Sequence, residues 1–566
     1  MIRRPIEDQI VGSIKAVLAT LGASTEGDVK LEIPRQKGFG DLSSNVAMIH
    51  ATEMGMKPRD LAEKIIERFS ATADGVEKVE IAGPGFINFH LSNDYFHTLL
   101  AEILADPERF GSSDEGKGAK WNFEFVSANP TGPLNVVSAR AASIGAALVN
   151  IFRKRGFDAR SEYYFNDAGR QVRLLGASVK ARYHQIIENL ETAVIPEDGY
   201  HGEYVRDIAQ AWIEAHQSIA QDHVAPTLHH ISTDYLVKNT TDEQIGNWAS
   251  DWMLTQQRTQ LERFRVVFDL WYKEGALHNS GKVSTVVAKM RNTGDAYEKD
   301  GALWFKSSEF GDTDDRVMVT SEGRPTYRVP DMAYHIDKFE RGFEKAVVLL
   351  GPDHHGAIIT LTAALKALGL PDGFYIGTIV QQVNLMRDGE PVKMSKRAGQ
   401  MVTLDELVDE VGVDAARYFF LRRKISTPLD FDIELAKKNS DENPVFYVQY
   451  AHARVCSILR QPGAEGLGAN ATAHYPLLSS AEELDMIRAL ALYPLTLSSI
   501  VRSLEPSLMT TYLADVSKAF HHFYQKHRVI TDDKILTAAR LDLCRAVASV
   551  LKNGLALIGV EAPEKM

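Results

Sequence analysis

The spacing of apolar and polar residues predicts a mixed N-terminal part. Apolar positions recur every three or four residues near the start, and later segments show the short bounded runs of strands. The predicted elements are a helix at 10–18, a strand at 30–34, helices at 44–54 and 58–69, and strands at 76–81 and 86–91. The polar stretch 111–118 indicates a linker, so we expect an α+β domain over residues 1–112.

The central part alternates strands with helices, which is typical of a parallel α/β sheet. Apolar runs at 122–126, 346–350 and 373–380 predict three of its strands. Between the first two lies a long helical and polar segment, about 176–274, which exceeds a simple crossover connection. We interpret that segment as an insertion into the sheet domain.

The C-terminal part is predicted to be entirely helical. Strand patterns disappear past about Asp414, and residues 443–559 carry apolar stripes at helical spacing, such as Leu541, Cys544 and Val547. A helical bundle is the expected third unit.

Composition supports a soluble protein of two or three domains. The 566 residues include 63 basic and 75 acidic side chains, so the net charge of -12 gives no indication of a nucleic-acid partner. The two cysteines, Cys456 and Cys544, are too few for a disulfide framework or a four-cysteine zinc site. No signal peptide and no uninterrupted apolar run of membrane-spanning length is evident. We therefore expect a cytoplasmic protein without a membrane partner.

A strand, a turn and a helix follow one another at residues 124–140. The turn contains Pro130, Thr131 and Gly132, and the helix opens near Asn135. The unpaired backbone N–H groups of a helix that starts directly after a parallel strand attract phosphate. From geometry alone, however, an ordinary turn of a doubly wound sheet is the favoured interpretation.

Two further segments carry groups suited to nucleotide chemistry. The loop Lys393, Met394, Ser395, Lys396, Arg397 has three cations in five residues and could close over a polyphosphate, although most short basic runs are solvated surface. Gly351, Asp353 and His354 directly follow the second predicted strand. The adjacent histidines His354 and His355 do not predict a metal site, since no third ligand accompanies them at metal spacing.

Taken in order, these motifs resemble bacterial arginyl-tRNA synthetases of class I over essentially the whole chain. The resemblance rests on the segment 127–134, on Tyr327 followed by Asp331, on 351–356, on 393–397 and on 443–454. It implies three domains. These are an N-terminal α+β tRNA-contact domain at 1–112, a Rossmann-like catalytic domain at 113–440 with the insertion at about 176–274 and the lysine loop at 393–397, and an α-helical anticodon-binding domain at 441–566.

The resemblance implies an aminoacyl-tRNA ligase. Arginine is activated by ATP to arginyl-adenylate with release of pyrophosphate, and the arginyl group is then transferred to the 3'-end of tRNA-Arg. Mg²⁺ accompanies ATP and is held mainly by its phosphates, with no dedicated protein metal site. A monomer is the expected state.

The same resemblance implies roles for individual residues. The expected arginine-binding residues are Glu124, Ser127, Asn129, Tyr327 and Asp331, whose acceptors suit a planar guanidinium. The expected ATP-binding residues are Pro130, Thr131, Gly132, Asn135, Ser138, Gly351, Asp353, His354, Lys393, Met394, Ser395 and Lys396. Among these, Lys396, Lys393, Asn135 and Ser138 are expected to be catalytic. The expected tRNA-binding residues are Tyr447, Gln449 and Arg454.

One motif departs from the family pattern. Where the family carries His-x-Gly-His, this chain has Asn135, Val136, Val137 and Ser138. Asn135 and Ser138 can still donate neutral hydrogen bonds to phosphate, while Val137 replaces a glycine beside the nucleotide. A non-catalytic or impaired tRNA-binding paralogue is therefore an alternative. A nucleotidyl transferase for a small molecule is a remoter one, because it gives no reason for a helical C-terminal domain.

Overall fold

The computed structural model describes residues 6–24, 29–32, 34, 38–69, 75–167, 169–187, 193–221, 237, 239–392, 402–467 and 471–566. The N-terminal part contains, in chain order, α1 (Ile6–Leu21), β1 (Leu42–Ser44), α2 (Val46–His50), α3 (Pro58–Arg68), β2 (Val76–Ala82), β3 (Phe86–Leu91) and α4 (Asn93–Ala105). Its strands form an antiparallel sheet in the order β1-β3-β2. The predicted α+β character is confirmed.

Two predictions for this part are wrong in extent. The helix predicted at 44–54 covers only α2, because the backbone of Ser44 pairs with Ile87 at the end of β1. In the strand predicted at 30–34, Glu32 forms a single antiparallel bridge with Ser43, and Ile33 lies outside the described residues. The predicted linker 111–118 is a fixed turn, since Arg155 donates to the carbonyl of Gly111 and forms an ion pair with Glu115.

The catalytic part is built around a parallel sheet. Its first half contains β4 (Lys120–Glu124), α5 (Val136–Lys154), β5 (Asp158–Phe165), α6 (Arg170–Ile187), α7 (Tyr204–Gln221), α8 (Asp242–Arg263), β6 (Leu270–Lys273), α9 (Glu274–Asn279) and α10 (Lys282–Thr293). The next elements are β7 (Ala296–Lys299), β8 (Ala302–Phe305), β9 (Arg316–Val319), α11 (Arg328–Glu340), β10 (Lys345–Leu350), α12 (His355–Ala367) and β11 (Tyr375–Ile379). The five-stranded sheet has the order β11-β10-β4-β5-β6, and every neighbouring pair is parallel.

The boundaries of this sheet correct two expectations. The strand predicted at 122–126 ends at Glu124, because Val126 and Ser127 adopt the left-handed φ values of 69° and 42°. The insertion predicted at 176–274 does not reach Glu274, since β6 pairs with β5 and belongs to the sheet itself. Within the insertion, α6 and α8 cross so closely that a Cβ on Gly176 would meet a backbone oxygen.

The remaining elements join the sheet to the helical C-terminal part. They are β12 (Val383–Arg387), β13 (Glu390–Pro391), α13 (Leu404–Val411), α14 (Val413–Phe420), β14 (Leu429–Asp432) and α15 (Ile433–Lys437). The prediction that strands end at about Asp414 is wrong, because β14 pairs in parallel with β12 and buries Leu429 and Phe431 on one face. Four residues are too short a run to produce a recognisable alternation.

The predicted helical C-terminal part is confirmed. It contains α16 (Pro444–Leu459), α17 (Ala481–Ala491), α18 (Tyr493–Ser503), α19 (Ser507–Lys526) and α20 (Lys534–Leu557). In the described residues, two segments, Val136–Lys154 and Ala481–Ser503, are long and apolar enough to cross a membrane by length and composition. Because 72% and 56% of their most apolar windows are buried inside the fold, they serve here as core helices.

Candidate active site

Glu124, one of the expected arginine-binding residues, lies at the carboxyl end of β4. Glu124 is the last residue of β4, and the left-handed backbone of Val126 and Ser127 turns the chain sharply away from the strand. That conformation is costly for a β-branched residue such as Val126, so the surrounding structure has to enforce it. It places the Ser127 hydroxyl 3.1 Å from Glu124 Oε1, to which it donates, while the same hydroxyl accepts the N–H of Tyr164 at 3.2 Å.

Three carboxylates meet at this edge. Asp331 lies in the first turn of α11, and removal of water together with the charges of Glu124 and Glu274 raises its pKa to about 7. Glu274 is the first residue of α9 and accepts a hydrogen bond from the hydroxyl of Tyr164 at 2.8 Å. Sequence reasoning missed Glu274. Its position directly after a strand of the parallel sheet was the available signal, but β6 itself was not predicted.

A hydrogen-bond network centred on Glu162 lies beneath the carboxylates. Glu162, only 1% exposed, accepts from both guanidinium nitrogens of Arg341 at 2.8 and 2.9 Å. It also accepts from the Tyr334 hydroxyl at 2.6 Å and from the Asn122 amide at 2.8 Å. Burial alone would raise the pKa of Glu162, but the hydrogen bonds of Arg341 and the charges of Lys338 and Arg341 lower it below its usual value. The network fixes α11 against β4 and β5.

A second buried cation belongs to this region. Lys338 of α11 is 0% exposed, and its Nζ lies 2.6 Å from Glu124 Oε2 and 4.2 Å from the centre of the Tyr334 ring. Its pairing with Glu124 means that one oxygen of that carboxylate is occupied before any substrate binds.

Tyr327 is less enclosed than a pocket residue is expected to be. It is 65% exposed, and the guanidinium of Arg328 lies over its ring at 4.8 Å. Tyr327 and Asp331 line a cavity of about 320 Å³ together with Asp353 and His354. The structure therefore places two expected arginine-binding residues, Tyr327 and Asp331, in the same cavity as two expected ATP-binding residues. Tyr327 lies at the rim of this cavity.

The turn between β4 and α5 is held by side chains of the helical insertion. Gln257 of α8, fully buried, donates to the carbonyl of Gly132 at 2.8 Å and accepts from the Tyr163 hydroxyl at 2.9 Å. The Tyr204 hydroxyl donates to the carbonyl of Thr131 at 2.9 Å. Pro130, which follows the exposed Asn129, is buried within the turn.

Asn135 caps the helix that starts after this turn. Its Oδ1 accepts from the backbone N–H groups of Val137 and Ser138, both at 3.0 Å, and the side chains of these two residues are half-buried. Two of the N–H groups expected to bind phosphate are thus already paired with Asn135. The amide nitrogen of Asn135 and the hydroxyl of Ser138 are the donors that this arrangement offers to an anion.

The chain that follows the predicted lysine loop contacts the start of this helix. Lys393, Met394, Ser395, Lys396 and Arg397 lie outside the described residues. Just beyond the loop, Thr403 forms an antiparallel bridge with Asn135, and the N–H of Leu404 donates to the carbonyl of Leu134 at 2.8 Å. The chain that follows the predicted loop is therefore held at the start of the helix to which phosphate is expected to bind.

The other nucleotide residues follow β10. Gly351 caps a short 3₁₀ turn, Pro352–His354, in which Asp353 and His354 are exposed. This turn lies at the same carboxyl edge of the sheet as Glu124, because β10 and β4 are parallel neighbours. Among the described residues, no group of three His, Cys, Asp or Glu side chains stands in an arrangement that could hold a metal ion.

The expected tRNA-binding residues lie in different environments on α16. The ring of Tyr447 lies 4.8 Å from that of His521, and the Arg454 guanidinium is placed between the rings of Tyr450 and Tyr524. Gln449, in contrast, is buried and donates to Asp414 at 2.8 Å and to the carbonyl of Glu561 at 3.0 Å. Its amide ties the bundle to α14 and to the C-terminal tail, so of the three it is the least suited to contact a base.

Comparison with known proteins agrees with this geometry. Residues 100–425 match the family described as tRNA synthetases class I (R), catalytic domain. Residues 8–91 match the arginyl tRNA synthetase N terminal domain, and residues 448–566 match the DALR anticodon binding domain. The chain belongs to the arginyl-tRNA synthetase family.

Individual relatives cover the chain from end to end. It is 42% identical to an arginine–tRNA ligase of Shouchella clausii over 99% of both chains, and 43% identical to that of Desulfosudis oleivorans over 96% of both. The fold matches Thermus thermophilus arginyl-tRNA synthetase with a TM-score of 0.77 at 19% identity, covering 100% of each chain. The chain is therefore an arginine–tRNA ligase with the Rossmann-like catalytic domain that its sequence predicts, and nothing in these matches supports a non-catalytic paralogue.

Proposed function

We propose that the guanidinium of arginine binds among Asp331, Glu274 and Glu124. A planar cation with five donors can satisfy several carboxylate oxygens at once, whereas the ammonium of lysine cannot reach them in the same geometry. Buried acceptors left unpaired by a wrong substrate cost about 1 to 3 kcal/mol each. Tyr327 closes the rim of the pocket, and Ser127 and Asn129 hold the backbone groups of the substrate.

We infer that MgATP binds on the other side of the same edge. The triphosphate lies at the turn Pro130–Gly132 and at Asn135 and Ser138, and the sugar lies against Gly351, Asp353 and His354. The carboxylate of arginine then attacks the α-phosphorus, and pyrophosphate leaves. This reaction needs alignment and charge neutralisation more than an acid or base, which is the role proposed for Lys393 and Lys396, with Met394 and Ser395 shaping the loop.

For the second substrate, we propose that tRNA contacts the aromatic and cationic surface of Tyr447 and Arg454. Unpaired bases stack on aromatic rings and on guanidinium planes, so this surface suits an anticodon loop. The net charge of -12 describes the whole chain, and local cations such as Arg454 supply the attraction, which should weaken with salt. We propose a cytoplasmic monomer without a membrane partner.

A single observation carries the proposed catalytic site. Thr403 and Leu404, which follow the lysine loop along the chain, are bonded to Asn135 and Leu134 at the start of the helix. The expected result is exchange of pyrophosphate into ATP that requires arginine, measured with and without tRNA, and no exchange with lysine. Absence of exchange under both conditions, while tRNA still binds, would overturn retained catalysis with Asn135 and Ser138 in place of the two histidines.

A further inference from the structure

Lys338 is enclosed beneath the proposed arginine pocket. Lysine is almost never fully buried unless its charge is paired, and here the pair is formed with Glu124 at 2.6 Å. The side chain of Glu124 is only 9% exposed, and its other oxygen accepts from Ser127. The hydrogen bonds from Lys338 and Ser127 therefore hold both oxygens of Glu124 in fixed positions before arginine binds.

A role for Lys338 in merely anchoring α11 would be redundant. The helix is already tied to the sheet by Arg341 and Tyr334, both of which bond to Glu162 on β5. Lys338 pairs instead with the carboxylate that faces the proposed substrate. Its charge also lowers the pKa of Asp331, one of the other pocket carboxylates.

We propose that Lys338 is a positioning residue for arginine recognition, whose ammonium holds Glu124 in its binding orientation and offsets part of the negative charge of the empty pocket. A site for a guanidinium has to gather carboxylates, and each added carboxylate makes the ionisation of its neighbours costlier. An internal ammonium reduces that cost without filling the place of the substrate. This inference rests on the proposed arginine pocket.

The charge environment of Asp331 decides what removal of Lys338 should do. The groups that influence Asp331 from the surrounding elements are Glu124, Glu274, Lys338, Arg328, Tyr164 and Tyr375. Arg316, Asp353 and His354 line the cavity on its open side. Of the two cations that lower the pKa of Asp331, Lys338 is the stronger. Loss of its charge should therefore raise that pKa further and move the protonation of Asp331 to higher pH.

The test compares Lys338→Met, Lys338→Arg and the exposed control Lys366→Met. The Michaelis constant for arginine and kcat are measured by ATP–pyrophosphate exchange with tRNA present, from pH 6 to 9. For Lys338→Met we expect an arginine KM at least ten-fold higher, a kcat within three-fold of wild type, and a rise in KM that begins at higher pH. Lys338→Arg and Lys366→Met should keep the wild-type pH dependence. The proposal would be overturned by an unchanged pH dependence in Lys338→Met. It would also be overturned if kcat fell by the same factor as the arginine KM rose.

A double substitution keeps the test decisive if Lys338→Met folds poorly. Glu124→Gln with Lys338→Met removes both charges of the pair, so no uncompensated charge is left in the interior. If Lys338 acts through Glu124, the double variant should bind arginine no more than three-fold more weakly than Glu124→Gln alone. Additive losses would contradict the inference. The proposed pocket itself fails separately if Asp331→Asn leaves the arginine KM unchanged.

Discussion

The proposed amino-acid side and the proposed nucleotide side of the sheet edge are built from different kinds of groups. On the proposed amino-acid side, the charges of Glu124 and Glu274 act on Asp331, and Lys338 pairs with Glu124. On the nucleotide side, the described residues at the β4–α5 turn are neutral: Asn135 caps the helix, and amide and hydroxyl groups of the insertion hold the turn carbonyls.

The difference separates two ways of binding a charged substrate. On the first side, we propose that buried carboxylates bind a cation, and their ionisation depends on their neighbours and on pH. On the second side, we propose that positioned neutral donors bind a polyphosphate, with the cations supplied by the lysine loop. The arginine KM should therefore depend on pH and on substitutions that remove a single charge. The ATP KM should depend on the conformation of the β4–α5 turn and on the lysine loop.

The largest effect is expected from the loop. Lys396→Ala should lower kcat for arginine activation by about 100- to 1000-fold, because loss of one group that stabilises transition-state charge has that magnitude. Single-turnover kinetics provide the measurement. Affinity for tRNA, measured by filter binding, should stay within two-fold; equal losses in both would mean that Lys396 does not act on the phosphates.

A smaller effect is expected from the carboxylate pocket. Asp331→Asn should raise the arginine KM by about 10- to 150-fold, the equivalent of one lost charged hydrogen bond of about 1.5 to 3 kcal/mol. The ATP KM should change less than three-fold. Asp372→Asn, an exposed substitution before β11, is the matched control and should behave as wild type. An increase in the ATP KM as large as the increase in the arginine KM would contradict the proposed separation of the arginine side from the nucleotide side.

The pH dependence should differ between the two substrates. With a pKa of about 7 in the free enzyme, Asp331 loses its charge as the pH falls, and the guanidinium loses an ionic acceptor. The arginine KM should be about ten-fold higher at pH 6 than at pH 8, and the ATP KM should vary less than two-fold. A flat profile for arginine would show that Asp331 does not titrate between pH 6 and pH 8 or that its charge does not contribute to arginine binding.

The smallest effect is expected from Gln257, whose side chain holds the β4–α5 turn. Gln257→Leu removes the donor to the carbonyl of Gly132, while the hydroxyl of Tyr163 keeps the carbonyl of Ala128 as its acceptor, so the ATP KM should rise about five- to ten-fold. Kinetics at saturating arginine measure the change, with Gln256→Leu on the same helix as control. If the arginine KM rose instead, the turn would serve the amino-acid side.

The sequence could predict the expected ligands but not their surroundings. Glu124 and Asp331 stand in recognisable motifs, and the structure brings them close enough for the charge of Glu124 to raise the pKa of Asp331. Lys338 was missed because a lysine at helical spacing is normally solvent-exposed, and only the tertiary contact with Glu124 reveals its burial. Glu274 was missed because it follows a four-residue strand.

Burial also determines what the side chains of Arg140 and Gln449 can contact. Arg140 follows the altered signature, yet it is fully buried and donates to the carbonyls of Gln381, Lys424 and Thr427, which ties α5 to the segments around β12 and β14. Gln449 lies in a family motif but bonds within the protein. Residue type and spacing do not specify which way a polar side chain points, because that depends on contacts distant in sequence.

The most direct test of the division between the two sides is a crystal structure with arginine and a non-hydrolysable ATP analogue bound. The account predicts the guanidinium among Asp331, Glu274 and Glu124, with Lys338 still paired to Glu124, and the triphosphate at Asn135 and Ser138 with Val137 turned away from the nucleotide. A guanidinium bound away from Asp331, or a triphosphate that does not reach the start of α5, would contradict it.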